Sequence, residues 1–258
     1  MIRFARPILT TLVGVSVLAI GLPAGAARTA TKPSGEITVS AAASLTEAFT
    51  KLGADFREQN NKATITFNFG SSSALVTQIQ GGAPADVYAS ADLATMDELV
   101  SGGRVTTAPK PFARNQMQIA VKPGNPKRVR SVADLTDVGT IALCGAIVPC
   151  GVYAATVLER ANVRVPETSI TRGIDAKATL GSVSQGDANA AIVYVTDVKA
   201  VGRSVTAVPI PDDQNVVAVY PIAPIASSTN RRLATAFTAY VLSPAGQKVL
   251  ARYGFLAP

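Results

Sequence analysis

The chain has no histidine and no tryptophan, and only two of its 258 residues are cysteine. Without histidine, Ser-His-Asp and Cys-His catalytic arrangements and imidazole metal sites are excluded. Charged residues are 16% and aromatics 5%, and no stretch gathers five or more Lys/Arg. That leaves neither a phosphate footprint nor a stacking platform for nucleic acid. The G-x-S-x-G elbow and the G-x-x-x-x-G-K-[ST] phosphate loop are also missing. Asp86 and Asp92 could be drawn as an acid–base pair, but such residues cap turns and helices more often than they catalyse. No enzyme is expected. Low charge beside 48% hydrophobic residues excludes long disordered stretches. The length fits one large domain or two lobes of roughly 100 residues each.

Residues 1–26 stand apart. Arg3 and Arg6 give a basic start, an apolar run follows from Ile8 to Leu22, and Ala24-Gly25-Ala26 supplies small residues for cleavage after Ala26. This is the three-part pattern of a secretory signal. The alternative is an uncut anchor, for which the run is short, since a span needs roughly 20 residues. The region holds no lipid-attachment cysteine. Losing Arg3 and Arg6 takes the formal charge from +7 to about +5. Cys144 and Cys150, an even count in an exported chain, read as one disulfide closing CGAIVPC. Two sulfurs without histidine make a poor metal site.

Beyond a polar linker at 27–35, strand and helix patterns alternate. Glu36–Ala43, Ala63–Phe69, Asp86–Ala89, Gln116–Val121, Thr140–Leu143, Ala190–Val195 and Asn215–Ala223 read as strands. Helices are predicted from Ser44, where S-x-x-E to Glu47 makes a capping box, and at 73–80, 93–101, 132–135, 152–161, 176–184, 231–242 and 245–253. Gly81-Gly82 terminates one of them. The alternation predicts an α/β protein with mostly parallel sheets flanked by helices, as two sheets of about five strands. Phe112–Asn115 and Asp213–Asn215 are the candidate crossovers.

Four strand-to-helix junctions share a character: AAAS ending at Ser44, GSSS with Ser71, Ser72 and Ser73, PCG with Cys150 and Gly151, and IDAK with Asp175 and Ala176. Each helix start offers unpaired amides and the positive end of a dipole, and hydroxyls add donors. Several such ends together would bind an anion without a cationic side chain, although spacing alone does not bring them together.

The segments ITVSAAASLTEAF, FGSSSALVTQIQGGAPADVYASAD, VPCGVYA, AAIVYVTD and KVLARYGF resemble the periplasmic molybdate-binding proteins of molybdate importers, from about Glu36 to Phe255. The resemblance implies a two-lobed periplasmic-binding-protein type II fold with a hinge, lobe 1 being 36–113 plus 216–258 and lobe 2 being 114–215. It implies an oxyanion in the interlobe cleft, held by the hydroxyls of Ser44, Ser72 and Tyr194 and by backbone amides at Cys150 and Ala176. The family position matched by Cys150 is often Ala, a change that a backbone contact tolerates. Molybdenum would enter only as the bound oxyanion, without direct protein ligands and without a cofactor. The expected partners are molybdate or tungstate and the membrane permease of an ABC importer, with sulfate or phosphate as the alternative ligand. The exported protein is expected to be a monomer.

Overall fold

The computed structural model of the protein describes residues 1–5 and 32–258. The expected signal at 1–26 and linker at 27–35 therefore fall largely outside the described residues. Residues 32–258 form one unit. Among the described residues no helix is long and apolar enough to cross a membrane.

The unit opens with β1 (Gly35–Ala42), whose GEITVSAA is buried along its last six residues bar one. A short 3₁₀ turn, Ala43–Leu45, leads into α1 (Thr46–Gln59). Then come β2 (Ala63–Gly70), α2 (Ser72–Gln80), β3 (Val87–Ala89) and α3 (Leu93–Ser101). The twelve-residue β4 (Lys110–Val121) follows, and then β5 (Ile141–Cys144) with α4 (Pro149–Arg160), β6 (Ile170–Gly173) with α5 (Ala176–Ser184), and β7 (Ala190–Tyr194) with α6 (Val195–Val201). The chain finishes through β8 (Thr206–Val208), β9 (Val217–Pro224), α7 (Arg231–Leu242) and α8 (Pro244–Tyr253).

The strands run in the order β2-β1-β3-β9-β4-β7-β5-β6, with β8 also paired to β4. Two separate sheets were expected; instead β4 joins both halves. Its first part, Lys110 to Gln116, pairs antiparallel with β9, and from Met117 onward it pairs with β7 and β8. The predicted strand began only at Gln116, because Lys110–Asn115 carries Pro, Arg and Asn where a buried strand normally alternates apolar residues. Phe112–Asn115, read as a crossover, lies inside β4, and Asn215 lies just before β9. Asn215 clamps the change of partner: its Oδ1 accepts the Met117 amide at 3.0 Å and its Nδ2 donates to the Met117 carbonyl at 2.9 Å. β6, β8 and α6 are too short to announce themselves by periodicity. The expected helix at 132–135 is a 3₁₀ turn, Ala133–Thr136.

On each side of β4 the sheet is largely parallel: β1 pairs parallel with β2 and β3, and β5 with β6 and β7. Parallel pairs need crossovers, and helices supply them. α1 buries Ala48, Phe49, Leu52 and Phe56, and α7 buries Leu233, Ala234, Phe237 and Val241, each set at helical spacing. These stripes meet in an aromatic cluster. Phe237 lies 6.2 Å from Phe49, 5.6 Å from Phe56 and 6.2 Å from Phe67, ring centre to ring centre, in edge-on or tilted geometry favoured by ring quadrupoles. Truncating Phe237 to Ala should cost about 3–5 kcal/mol in denaturant unfolding, through lost burial and the cavity left behind. A loss below about 1 kcal/mol would contradict this packing.

Candidate functional site

Five strand-to-helix junctions converge on one crevice. β1 ends at Ala42 and the 3₁₀ turn carries Ser44; β2 ends at Gly70 and α2 opens with Ser72; β5 ends at Cys144 and α4 opens Pro149-Cys150; β6 ends at Gly173 and α5 opens with Ala176; β7 ends with Tyr194 itself. These are carboxyl ends of parallel strands, where open α/β sheets place ligands. The crevice holds about 220 Å³, and Ser44, Ser72, Cys150, Ala176 and Tyr194 all line it. The space left for the centre of a water-sized sphere is only about 20 Å³, so the crevice suits a small solute. Ser44 and Ser72 come from the β2-β1-β3 side of the sheet, and the other three from the β7-β5-β6 side.

The chemistry of the lining is one-sided. Helix geometry leaves the amides of Ser72, Ser73, Cys150, Ala176 and Lys177 without an intrahelical acceptor. The third amide of two of these helices is already capped: Ala74 N–H donates to Ser71 Oγ at 3.3 Å and Ala178 N–H to Asp175 Oδ1 at 2.8 Å. Capping by Asp175, the one acid in the lining, turns its carboxylate toward α5. Pro149 fills the first position of α4, where a missing N–H costs nothing. Among the described residues no Lys or Arg lines the crevice. Lys177, in the first turn of α5, pairs with Glu47 of α1.

Tyr194 is the most telling of the five. The residue is 1% exposed, and among the described residues its hydroxyl has no hydrogen-bond partner. Burial raises the phenol well above its usual pKa, so it stays protonated and can donate. A buried donor left unpaired costs about 1–3 kcal/mol, and one that faces a crevice calls for a ligand to satisfy it.

Cys144 and Cys150 form a disulfide with Cα atoms 5.8 Å apart, which fastens the end of β5 to the first turn of α4. Gly151 is dictated by the same tight loop: a Cβ there would lie 2.0 Å from the Gly145 carbonyl oxygen. The amide of Cys150 is thus fixed from both directions. The expected capping box does not form. α1 starts at Thr46 with Leu45 as its cap, and the Ser44 hydroxyl instead contacts Tyr220 Oη at 2.9 Å. Asp86 and Asp92 are not an acid–base pair. Asp92 Oδ1 caps α3 through the Thr95 amide at 3.0 Å, and Asp86 Oδ2 accepts the Thr38 amide at 2.7 Å.

The sequence reading did not single out Asn115, Tyr220 or Asp197, all buried close behind the crevice lining. Tyr220 alternates in β9 like any core aromatic, and its hydroxyl gains a purpose only through Ser44 and Asn115, both far away in sequence. Asp197 Oδ2 accepts the Tyr194 amide at 3.2 Å, while its Oδ1 has no partner among the described residues. Burial pushes this carboxyl up to about 7, with Lys177 and the Tyr194 amide opposing the shift. A raised folded-state pKa means that the native protein holds a proton which the unfolded chain releases above about pH 4. Stability from this group is therefore complete in acid and lost as the pH rises toward 7. Asp197→Asn keeps an acceptor for Tyr194 but cannot ionise. The variant should gain stability relative to wild type between about pH 4 and 7 and hold a constant difference above that. Melting curves across this range that stay parallel would contradict it.

Comparison with known proteins agrees with this geometry. The family of bacterial extracellular solute-binding proteins matches residues 37–256. The molybdate-binding protein ModA of Mycobacterium tuberculosis is 37% identical over 256 residues, covering 96% of this chain and 97% of its own. The substrate-binding domain of a putative molybdenum ABC transporter from Clostridium difficile superposes with a TM-score of 0.66 at 28% identity, over 86% of this chain and 99% of its own. The periplasmic molybdate-binding protein of Azotobacter vinelandii does so with a TM-score of 0.78 at 19% identity, over 86% of this chain and 99% of its own, a likeness of fold. The fold is thus the mixed α/β fold of periplasmic binding proteins, and the chain belongs to the bacterial extracellular solute-binding protein family.

Proposed function

We propose that the chain captures molybdate or tungstate in this crevice and delivers it to the membrane permease of an ABC importer. The observation that carries the proposal is the buried hydroxyl of Tyr194, unpartnered among the described residues, on a residue that lines a crevice built from helix N-termini with no cation among its described lining residues. Molybdate and tungstate are fully deprotonated near neutral pH and can only accept hydrogen bonds. A lining that offers donors suits them, and spreading the charge over amide dipoles avoids burying a second ion. The names carried by the relatives from Mycobacterium tuberculosis and Clostridium difficile support the same ligand and the same transport role.

On this reading Ser44, Ser72 and Tyr194 bind through hydroxyls, and Cys150 and Ala176 through amides. Residues 36–113 with 216–258 make one lobe and 114–215 the other. The paired strands β4 and β9 serve as the hinge, since β4 changes partner at Gln116–Met117. A ligand touching both lobes favours the closed arrangement by its differential contacts alone. Residues 1–26 act as an export signal, and the mature protein works as a monomer without catalysis.

Calorimetric titration of the purified protein tests the proposal. Molybdate and tungstate should bind more tightly than sulfate or phosphate, since a rigid ring of donors set for a larger tetrahedron cannot close on a smaller one. Ser72→Ala and Tyr194→Phe should each weaken molybdate by roughly 1–3 kcal/mol, the cost of a lost donor to a charge. Tighter binding of sulfate or phosphate would reassign the ligand. Unchanged affinity in both variants would reject the site.

A further inference from the structure

Distance alone does not say which way the hydrogen bond between Ser44 and Tyr220 runs, because either hydroxyl could donate. The direction is set one step further back. Asn115 Oδ1 accepts the amide of Gln116 at 3.0 Å, which fixes the orientation of the side-chain amide. Its Nδ2 then points at Thr196 Oγ1, 2.8 Å away, and at Tyr220 Oη, 3.4 Å away. An amide nitrogen only donates, so Tyr220 Oη accepts on that side. The single phenolic proton is left for Ser44 Oγ, the other oxygen within reach. Tyr220 is fully buried, and burial drives its pKa far up, so the proton stays on the phenol. A Ser44 oxygen that accepts from Tyr220 keeps its own proton for another acceptor, and Ser44 lines the crevice.

We infer that Tyr220, oriented by Asn115, is a positioning residue that fixes the Ser44 hydroxyl as a donor into the oxyanion crevice. The inference rests on the proposed reading of that crevice and extends it to two residues that do not line it. Ser72 is prepared in a similar way by a different group: the Ala91 amide donates to Ser72 Oγ at 3.1 Å, leaving its proton free to point outward. Both serine oxygens thus accept from the protein before a ligand arrives, which keeps their protons for an acceptor in the crevice and lowers the ordering cost of binding. The arrangement favours an anion that offers only acceptors. The chain of bonds also spans the molecule: Asn115 lies on β4, Thr196 on α6, Tyr220 on β9, and Ser44 in the turn after β1.

The test is a double-mutant cycle read by calorimetry with molybdate on the full protein, using wild type, Ser44→Ala, Tyr220→Phe and the double variant. Phenylalanine keeps the ring contacts to Phe112, Tyr194 and Phe255 and removes only the hydroxyl. Tyr220→Phe should weaken molybdate by about 5- to 20-fold in the wild-type background, part of a charge-directed hydrogen bond. In the Ser44→Ala background it should change affinity by less than about twofold, because the hydroxyl that it positions is gone. A merely structural role would lower affinity equally in both backgrounds, and that result overturns the inference. So does a Tyr220→Phe variant that binds like wild type while Ser44→Ala weakens binding. If Ser44→Ala itself binds like wild type, the reading of the crevice fails, and the inference falls with it. Asn115→Ala, which removes the group holding the phenol, provides a second arm. It should show the same dependence on Ser44, and equal losses in both backgrounds would again count against the inference.

Discussion

The first turn of every α-helix has amides with no partner in the helix, and a folded protein must bond them, expose them or put them to use. In this chain three helices, α2, α4 and α5, aim such turns at the same point from opposite sides of one sheet, joined by a 3₁₀ turn carrying Ser44. Hydroxyls add to the same polarity, and no cation stands among the lining residues. A concentration of donors whose one lining acid, Asp175, is turned to cap α5 is unfavourable until something electron-rich fills it. The unpartnered Tyr194 hydroxyl is the clearest sign of that unmet demand. Much of the remaining architecture can be read as the means of holding these donors in place.

The holding is done locally and at a distance. Locally, Ser71 and Asp175 bond the third amide of their helices, and the amides of Ser72 and Ala176, residues that line the crevice, stay without an acceptor in their own helices. The disulfide and the Gly151 contact fix the Cys150 amide. At a distance, β4 runs through both halves of the sheet, and Asn215 clamps Met117 where it changes partners. Tyr220 and Asn115 sit on those same two strands, so the groups behind Ser44 belong to the segment proposed as the hinge. Any movement there would be felt by the hydroxyl network, which ties ligand contact to lobe position by hydrogen bonds rather than by charge.

The fold was legible in the sequence wherever an element was long enough to show its period. The stripes of α1 and α7 and the apolar runs of β1 and β7 are read directly from spacing. The missed elements, β6, β8 and α6, are three to seven residues long, too few for a period to emerge. The lower half of β4 hid behind Pro111, Arg114 and Asn115, in a stretch whose pairing with β9 shifts register between Pro111 and Ala113 and which ends where β4 changes partner at Gln116–Met117. The five crevice residues came from a family resemblance joined to the chemistry of helix starts, and the structure brings all five to one cavity. What could not be read was the layer behind them. A tyrosine in β9 and an asparagine in β4, 105 residues apart, meet only through the fold. The capping box at Ser44 failed for a related reason: the serine hydroxyl is engaged with Tyr220, and Leu45 takes the cap position instead.

The most direct test of the central claim uses the scattering of tungsten. A crystal soaked with tungstate should show one strong anomalous peak in the crevice, with its oxygens about 2.7–3.1 Å from the hydroxyls of Ser44, Ser72 and Tyr194 and the amides of Cys150 and Ala176. Anomalous density outside that crevice, or none at saturating tungstate, would contradict the claim that converging uncharged donors hold the anion.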